Sequence, residues 1–207
     1  NPTGTFLPPA EVERLRAGLR DDVLLVIDAA YAEYVSRNDY DSGVGMAGSM
    51  DNVMMIRTFS KIYGLAGLRV GWGYGSAEII GVLHRARGPF NVNSGAQAAA
   101  VAALADTAHI DAARTHNDLW LPRLQEELRR LGLDVTSSIG NFVLARFAGG
   151  ADQAMAADAY LKARGIIVRP VAGYGLPDCL RITVGNRAEN QRLVSLIQQF
   201  YQEGSAT

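Results

Sequence analysis

Apolar residues gather along this chain in two rhythms. The first is the short unbroken run. Leu24-Leu25-Val26-Ile27 closes on Asp28, and Val53-Met54-Met55-Ile56 closes on Arg57. Runs apolar at every residue suit strands buried on both faces of a parallel sheet. They predict strands over 22–28 and 53–59, with a further strand over 68–74 after a glycine-bearing loop. The second rhythm is helical. Pro8-Pro9 opens a helix ending near Gly18, and Ser76 caps another in "SAEIIGVLHRA". Gly88-Pro89 breaks that helix, and "SGAQAAAVAALAD" forms an Ala-rich one with its apolar face inward. The segment 37–51 reads as loop or broken helix.

Composition shifts near Thr107. "HIDAARTHNDLWLPRLQEELRRLG" predicts one long amphipathic helix, bent at Pro122. Beyond it the pattern alternates: strand 141–147, helix 151–164, strand 166–168, strand 180–184, helix 187–201. That order fits a compact α+β or α/β unit. A boundary near residue 107 gives two domains, 1–107 and 108–207.

Bulk numbers narrow the function classes. The 207 residues are 48% hydrophobic and 20% charged, with net charge −1. That balance suggests neither a nucleic acid nor a membrane as partner. One cysteine, Cys179, rules out an internal disulfide framework and fits a reducing, cytoplasmic setting. No apolar run approaches the ~18 residues of a membrane span. The opening "NPTG" is turn chemistry with nothing before it to connect, so the chain is expected to be the later part of something longer.

Candidate chemistry concentrates in "RTFSKIYGLAGLRVGW". Thr58 and Ser60 offer hydroxyls, Lys61 an amine and Arg69 a guanidinium, beside loop amides. Together they suit a phosphate. The amine could also hold an aldehyde covalently. The Walker and Rossmann glycine patterns are absent here. Asp28 ends a strand where open α/β sheets place ligands. It is as well explained by a structural cap as by a carboxylate seated against a cationic ring nitrogen. Tyr31, three residues on, could direct a hydroxyl to the same ligand. His84, His109 and His116 lack ligand spacing, so no metal is expected and surface or capping roles suffice. Trp72 reads as packing, Cys179 as a small buried residue, and Asn91 and Asn93 as helix caps.

Five stretches, "NPTG", "VIDAAYAEY", "RTFSKIYGLAGLRVGW", "GPFNVNSGAQAAA" and "VRPVAGYGLPDCLRITVG", occur in one order and spacing. In them the chain resembles the fold-type-I pyridoxal-phosphate aminotransferases, and most the branch acting on histidinol phosphate. The resemblance covers essentially the whole chain. It implies an α/β three-layer sandwich with a mostly parallel sheet, present in part, plus a smaller C-terminal α+β domain. It implies pyridoxal phosphate as cofactor and Lys61 as the residue that holds it and later moves the proton. Asp28 would pair with the pyridinium nitrogen. Asn1 and Tyr31 would donate to the phenolic oxygen, and Thr58, Ser60 and Arg69 would bind the phosphate. Arg181 would grip the acidic head of the substrate, with Arg169 as a second arginine. Amino donor and keto acceptor would be small anionic molecules, an imidazole phosphate ester and 2-oxoglutarate, in histidine synthesis. A homodimer with shared sites is implied. An aromatic amino-acid aminotransferase and a decarboxylase of a phosphorylated amino acid are the alternatives. Ala29 stands where the family often has Glu. The family's cofactor-stacking aromatic and lid would lie before Asn1.

Overall fold

The two apolar runs lie side by side in the computed structural model, which describes residues 1–204. Strand β1 (Leu25–Asp28) pairs in parallel with β2 (Val53–Thr58), with Asp28 opposite Ile56. Strand β3 (Gly71–Gly75) runs antiparallel on the other side of β2, so the sheet order is β1-β2-β3. The sheet is therefore mixed. Glycine at 71 has a steric reason: a Cβ there would stand 2.7 Å from the Arg57 carbonyl oxygen. Helix α1 (Pro9–Gly18) starts at Pro9, where a missing N–H costs nothing. The short helix α2 (Val44–Ser49) buries Ala47 with Ala29, Val53 and Met55.

Helix α3 (Ala77–Ala86) is capped by Ser76, whose Oγ accepts from Ile79 N–H. Helix α4 (Ser94–Ala105) is capped by Asn93, whose Oδ1 accepts from Ala96 N–H at 2.8 Å. Asn91 has a different role: its Oδ1 accepts from Arg87. Helix α4 buries Ala96 and Ala100 while Val101 and Leu104 are exposed. An Ala-rich helix is apolar all round, so its sequence could not choose the inward face. These elements form one unit, Leu7–Arg114.

The second unit joins Asn1–Phe6 to the chain from Thr115 onward. Helix α5 (Thr107–Arg130) runs through Pro122 as one element and passes from the first unit into the second at Arg114/Thr115. Four antiparallel strands follow the order β4-β5-β7-β6: β4 (Asp134–Val135), β5 (Phe142–Arg146), β6 (Arg169–Val171) and β7 (Leu176–Thr183). One sheet face packs Val143, Ala145, Leu180 and Ile182 against Leu121, Leu124 and Leu128 of α5. Helices α6 (Gly150–Ala163) and α7 (Arg187–Gly204) close the same core through Leu161, Leu193 and Ile197. The strand expected over 166–168 begins instead at Arg169. The chain is still leaving α6 there: Ile166 N–H bonds the Leu161 carbonyl, and Gly165 takes a φ of +79°. That is a left-handed helix stop.

The opening Asn-Pro-Thr-Gly turn is docked. Ile139 N–H bonds the Gly4 carbonyl at 3.0 Å, and Gly4 has φ +81°. A Cβ at Gly4 would lie 2.4 Å from Ser138 Oγ. No helix among the described residues is long and apolar enough to cross a membrane.

Two outcomes follow for the second unit. Leu128 is fully buried, and Leu128→Ala should cost about 2–5 kcal/mol in denaturant unfolding. Cys179 is 1% exposed, and burial, with Asp178 beside it, pushes its thiol up to about 11. Its ordinary value is 9.0. Above that pH an unfolded thiol ionises while the folded one stays neutral, so stability falls as pH rises between the two values. Alkylation of Cys179 should be slow in the folded protein and should accelerate with unfolding, earlier in denaturant for Leu128→Ala.

Candidate active site

Strand β1 delivers its last residue to an open sheet end. Ala29 N–H bonds the Ile56 carbonyl, which locks the β1 terminus to β2. Asp28 is exposed, and its Oδ1 accepts from Ala30 N–H at 3.1 Å. This Asx turn is the structural use of Asp28. It engages one carboxylate oxygen. A 3₁₀ turn, Ala32–Tyr34, then starts directly after Tyr31.

The end of β2 lies alongside. Thr58 Oγ1 accepts from Ser60 N–H at 3.0 Å. The chain then turns tightly: Gly64 N–H bonds the Lys61 carbonyl, Leu65 N–H bonds the Phe59 carbonyl, and Phe59 N–H bonds the Val70 carbonyl. Phe59 and Ile62 are buried on either side of Lys61 and anchor the turn. Lys61 is half-buried, with Nζ 5.2 Å from the centre of the Tyr31 ring. That is cation–π distance. Arg69 Nη1 reaches Ser60 Oγ at 3.4 Å and the Ala66 carbonyl at 2.8 Å. Arg69 holds φ +54°, a left-handed conformation that costs a non-glycine residue about 1–2 kcal/mol. In this conformation its guanidinium lies beside the Ser60 hydroxyl. Asp28, Tyr31, Thr58, Ser60, Lys61 and Arg69 thus gather at the C-terminal ends of two adjacent parallel strands.

A buried ion pair braces this region. Arg57 gives Nε and Nη2 to Glu33 Oε1, at 3.0 and 2.8 Å, with the two side chains 18% and 9% exposed. Arg114 Nε donates to the Glu33 carbonyl at 3.0 Å. The Tyr63 hydroxyl, beside the Glu33 carboxylate, is pushed up by burial and by that charge. Trp72, expected as packing, is 44% exposed; its ring lies 5.7 Å from the Arg57 guanidinium, a cation–π contact. His109 Nε2 donates to the Ile62 carbonyl at 2.9 Å. His116 Nε2 donates to the Gly185 carbonyl at 2.9 Å in the second unit. A carbonyl only accepts, so each Nε2 carries the proton. Among the described residues no group of His, Cys, Asp or Glu could hold a metal ion.

The second unit carries its own polar cluster. Arg181 on β7 and Arg169 on β6 face each other directly in the strand register. They project from the sheet face opposite the helices, since Leu180 and Ile182 take the helical side. Arg181 Nη1 donates to Asn1 Oδ1 at 2.8 Å, and the guanidinium lies 4.8 Å from the Phe142 ring. Arg181 Nε is buried without a hydrogen-bond partner. Arg169 Nη2 reaches the Tyr174 hydroxyl at 3.2 Å. Like charges directly opposite on neighbouring strands tend to repel, and here each guanidinium turns to a neutral partner. The Asn1 amide spends its oxygen on Arg181, and its Nδ2 is the donor atom that the expected contact with a cofactor would need.

Sequence reasoning did not single out Glu33, Arg57, Tyr63 or Arg114. A charged pair inside otherwise aromatic and apolar stretches, "AYAEY" and "MMIRTF", was the available signal. His109 was expected at the surface or as a cap. Its bond to Ile62 spans 47 positions and leaves no local trace.

The chain as a whole is similar to known proteins. A family model described as aminotransferase class I and II matches residues 1–197. A histidinol-phosphate aminotransferase of Paramagnetospirillum magneticum is 55% identical over 201 residues, 97% of this chain and 55% of that protein. One of Rhodospirillum rubrum is 58% identical over 201 residues, 97% of this chain and 54% of that protein. The crystal structure of histidinol-phosphate aminotransferase from Sinorhizobium meliloti in complex with pyridoxal-5'-phosphate superposes with a TM-score of 0.89. It is 29% identical and covers 98% of this chain and 55% of that one. The chain spans about half the length of the curated relatives it matches.

The ion pair gives a direct test. Glu33→Gln leaves Arg57 buried without its counter-charge. It should lower the unfolding free energy by about 3 kcal/mol, read from denaturant melts. Glu33→Gln with Arg57→Met should recover part of that loss.

Proposed function

The chain belongs to the aminotransferase class I and II family, and we propose that its protein is a pyridoxal-phosphate-dependent aminotransferase of histidine synthesis. It would move an amino group between L-histidinol phosphate and 2-oxoglutarate. The observation that carries this reading is the grouping of Lys61, Tyr31, Thr58, Ser60 and Arg69 beside Asp28 at the ends of β1 and β2. We read Leu7–Arg114 as part of the cofactor-binding domain and the unit from Thr115 onward as the small domain. A homodimer in the cytoplasm, with small-molecule donor and acceptor, completes the reading.

The donor set fits the cofactor group by group. Two hydroxyls and a guanidinium suit a phosphate. An exposed carboxylate with one oxygen outside its Asx turn suits a protonated ring nitrogen. A half-buried amine against a tyrosine ring suits an aldehyde. When bound, pyridoxal phosphate supplies an aldehyde that condenses with amines and a protonated ring that takes up electrons. The work of the chain is to place and to protonate. Thr58, Ser60 and Arg69 would hold the phosphate. Asp28 would pair with the protonated ring nitrogen, and Tyr31 would offer a hydroxyl to the phenolic oxygen. Lys61 Nζ would be the amine that holds the cofactor and the base that carries the proton at the substrate's α-carbon.

Arg181 and Arg169 serve the substrate's anionic head. A guanidinium binds carboxylate or phosphate bidentately, so one arginine can accept both substrates in turn. The repulsion between the two arginines is relieved most by a doubly charged group. That supports a phosphate ester over phenylalanine or tyrosine as amino donor.

The test is a half-reaction on the full-length protein loaded with pyridoxal phosphate. Histidinol phosphate should discharge the visible absorbance of the bound cofactor far faster than phenylalanine or tyrosine at equal concentration. Comparable rates would favour the aromatic aminotransferase. Carbon dioxide released from a phosphorylated amino acid would favour the decarboxylase. Lys61→Ala should lose the absorbance on dialysis. Asp28→Asn should keep cofactor but lower kcat about 10²-fold or more, an effect of the size expected for lost electrostatic stabilisation. Arg181→Ala should weaken glutamate and histidinol phosphate together. Loss of only one would break the shared-anchor assignment.

A further inference from the structure

We propose that His109 is a positioning residue for Lys61, acting through the backbone carbonyl of Ile62. The proposal rests on the reading of Lys61 given above.

The turn carrying Lys61 is tied mostly to itself. The Lys61 carbonyl is held by Gly64, the Phe59 carbonyl by Leu65, and the Phe59 N–H by Val70. The bond from His109 Nε2 to the Ile62 carbonyl, 2.9 Å, brings in a different element, helix α5. It acts on the residue directly after the lysine. Asp106 fixes the origin of this bond: its Oδ1 accepts from His109 N–H at 3.0 Å and caps the first turn of α5. The imidazole therefore projects from the capped first turn of the helix.

The same helix holds the other side of the site. Arg114 is five residues further along α5, roughly 7.5 Å along its axis. Its Nε bonds the carbonyl of Glu33, two residues after Tyr31. Asp111 Oδ1 accepts from Arg114 Nη1 at 3.3 Å and steadies it. One rigid element thus grips the chain next to Lys61 and next to Tyr31, whose side chains lie 5.2 Å apart. Helix α5 works as a ruler, His109 being its contact on the lysine side. A catalytic amine must be placed to within a fraction of an ångström, and a displacement of about 1 Å can cost roughly 10²-fold in rate.

His109 is itself exposed, so replacing it removes the contact without opening the core. The test uses His109→Ala, His109→Leu and His109→Gln in the full-length protein. Glutamine retains an N–H donor of similar reach; leucine fills the space without one. Two readouts are needed. The first is amide hydrogen exchange at Gly64 and Leu65 without cofactor, which should speed up about tenfold in the alanine and leucine variants. The second is steady-state kinetics of the loaded protein. There kcat should fall about tenfold while KM for both substrates stays within about twofold. Glutamine should restore both readouts most of the way. Unchanged exchange would overturn the contact. Faster exchange with unchanged kcat would reduce it to a structural tie and overturn the positioning role. A glutamine variant as impaired as alanine would overturn the donor's part. Failure of the Lys61 assignment would show separately, as cofactor absorbance surviving in Lys61→Ala, because the exchange measurement needs no cofactor.

Discussion

The parallel register of β1 and β2 is the constraint on which the candidate site depends. Asp28 stands opposite Ile56, and Ala29 N–H bonds the Ile56 carbonyl. With that register both chains leave the sheet at the same end. The Asp28–Tyr31 segment and the Thr58–Lys61 segment then emerge beside each other, although some thirty residues separate them. A slip of one residue would send Asp28 to the opposite face. The register is protected by burial: Val53 and Met55 are fully enclosed, and Leu25 and Ile27 pack on the same cluster under α2.

Around this pairing the protein spends charge on rigidity. Largely enclosing Glu33 and Arg57 carries a desolvation cost that a geometrically good pair offsets. Its value lies in what it connects. Glu33 follows Tyr31, Arg57 precedes Thr58, Tyr63 follows Lys61, and Arg114 comes from α5. One carboxylate residue therefore sits beside the segments that carry Tyr31, Thr58 and Lys61. His109 adds a further tie to the lysine turn. The left-handed Arg69 is consistent with such a frame, because strain persists only where surrounding contacts over-determine it.

The second unit solves a different problem. Its antiparallel sheet buries one face under three helices and leaves Arg169 and Arg181 on the other. Antiparallel pairing sets them opposite each other in the register. Asn1 supplies a neutral acceptor to Arg181, and Tyr174 a hydroxyl to Arg169. Asn1 can do so because Gly4 lets the first residues lie flat against Ser138 and Ile139. A turn that looked unconnected in sequence is a strap that brings an amide to an arginine.

The sequence by itself determined the element list and the chemical inventory. Unbroken apolar runs specified β1 and β2, proline and Ser76 specified helix starts, and the hydroxyl-lysine-arginine stretch specified phosphate-like chemistry. These are local properties, and local physics decides them. It could not choose a face for the uniformly apolar α4. It also placed a strand at 166–168, where a glycine stop still governs the chain. Only the tertiary structure decided which distant groups meet: Glu33 with Arg57, Arg114 with the Glu33 carbonyl, His109 with Ile62, Asn1 with Arg181. Each of these contacts joins residues between 24 and 180 positions apart. No periodicity or propensity encodes such a pair. It exists because sheet register and helix packing bring two backbones together, and the side chains then satisfy one another.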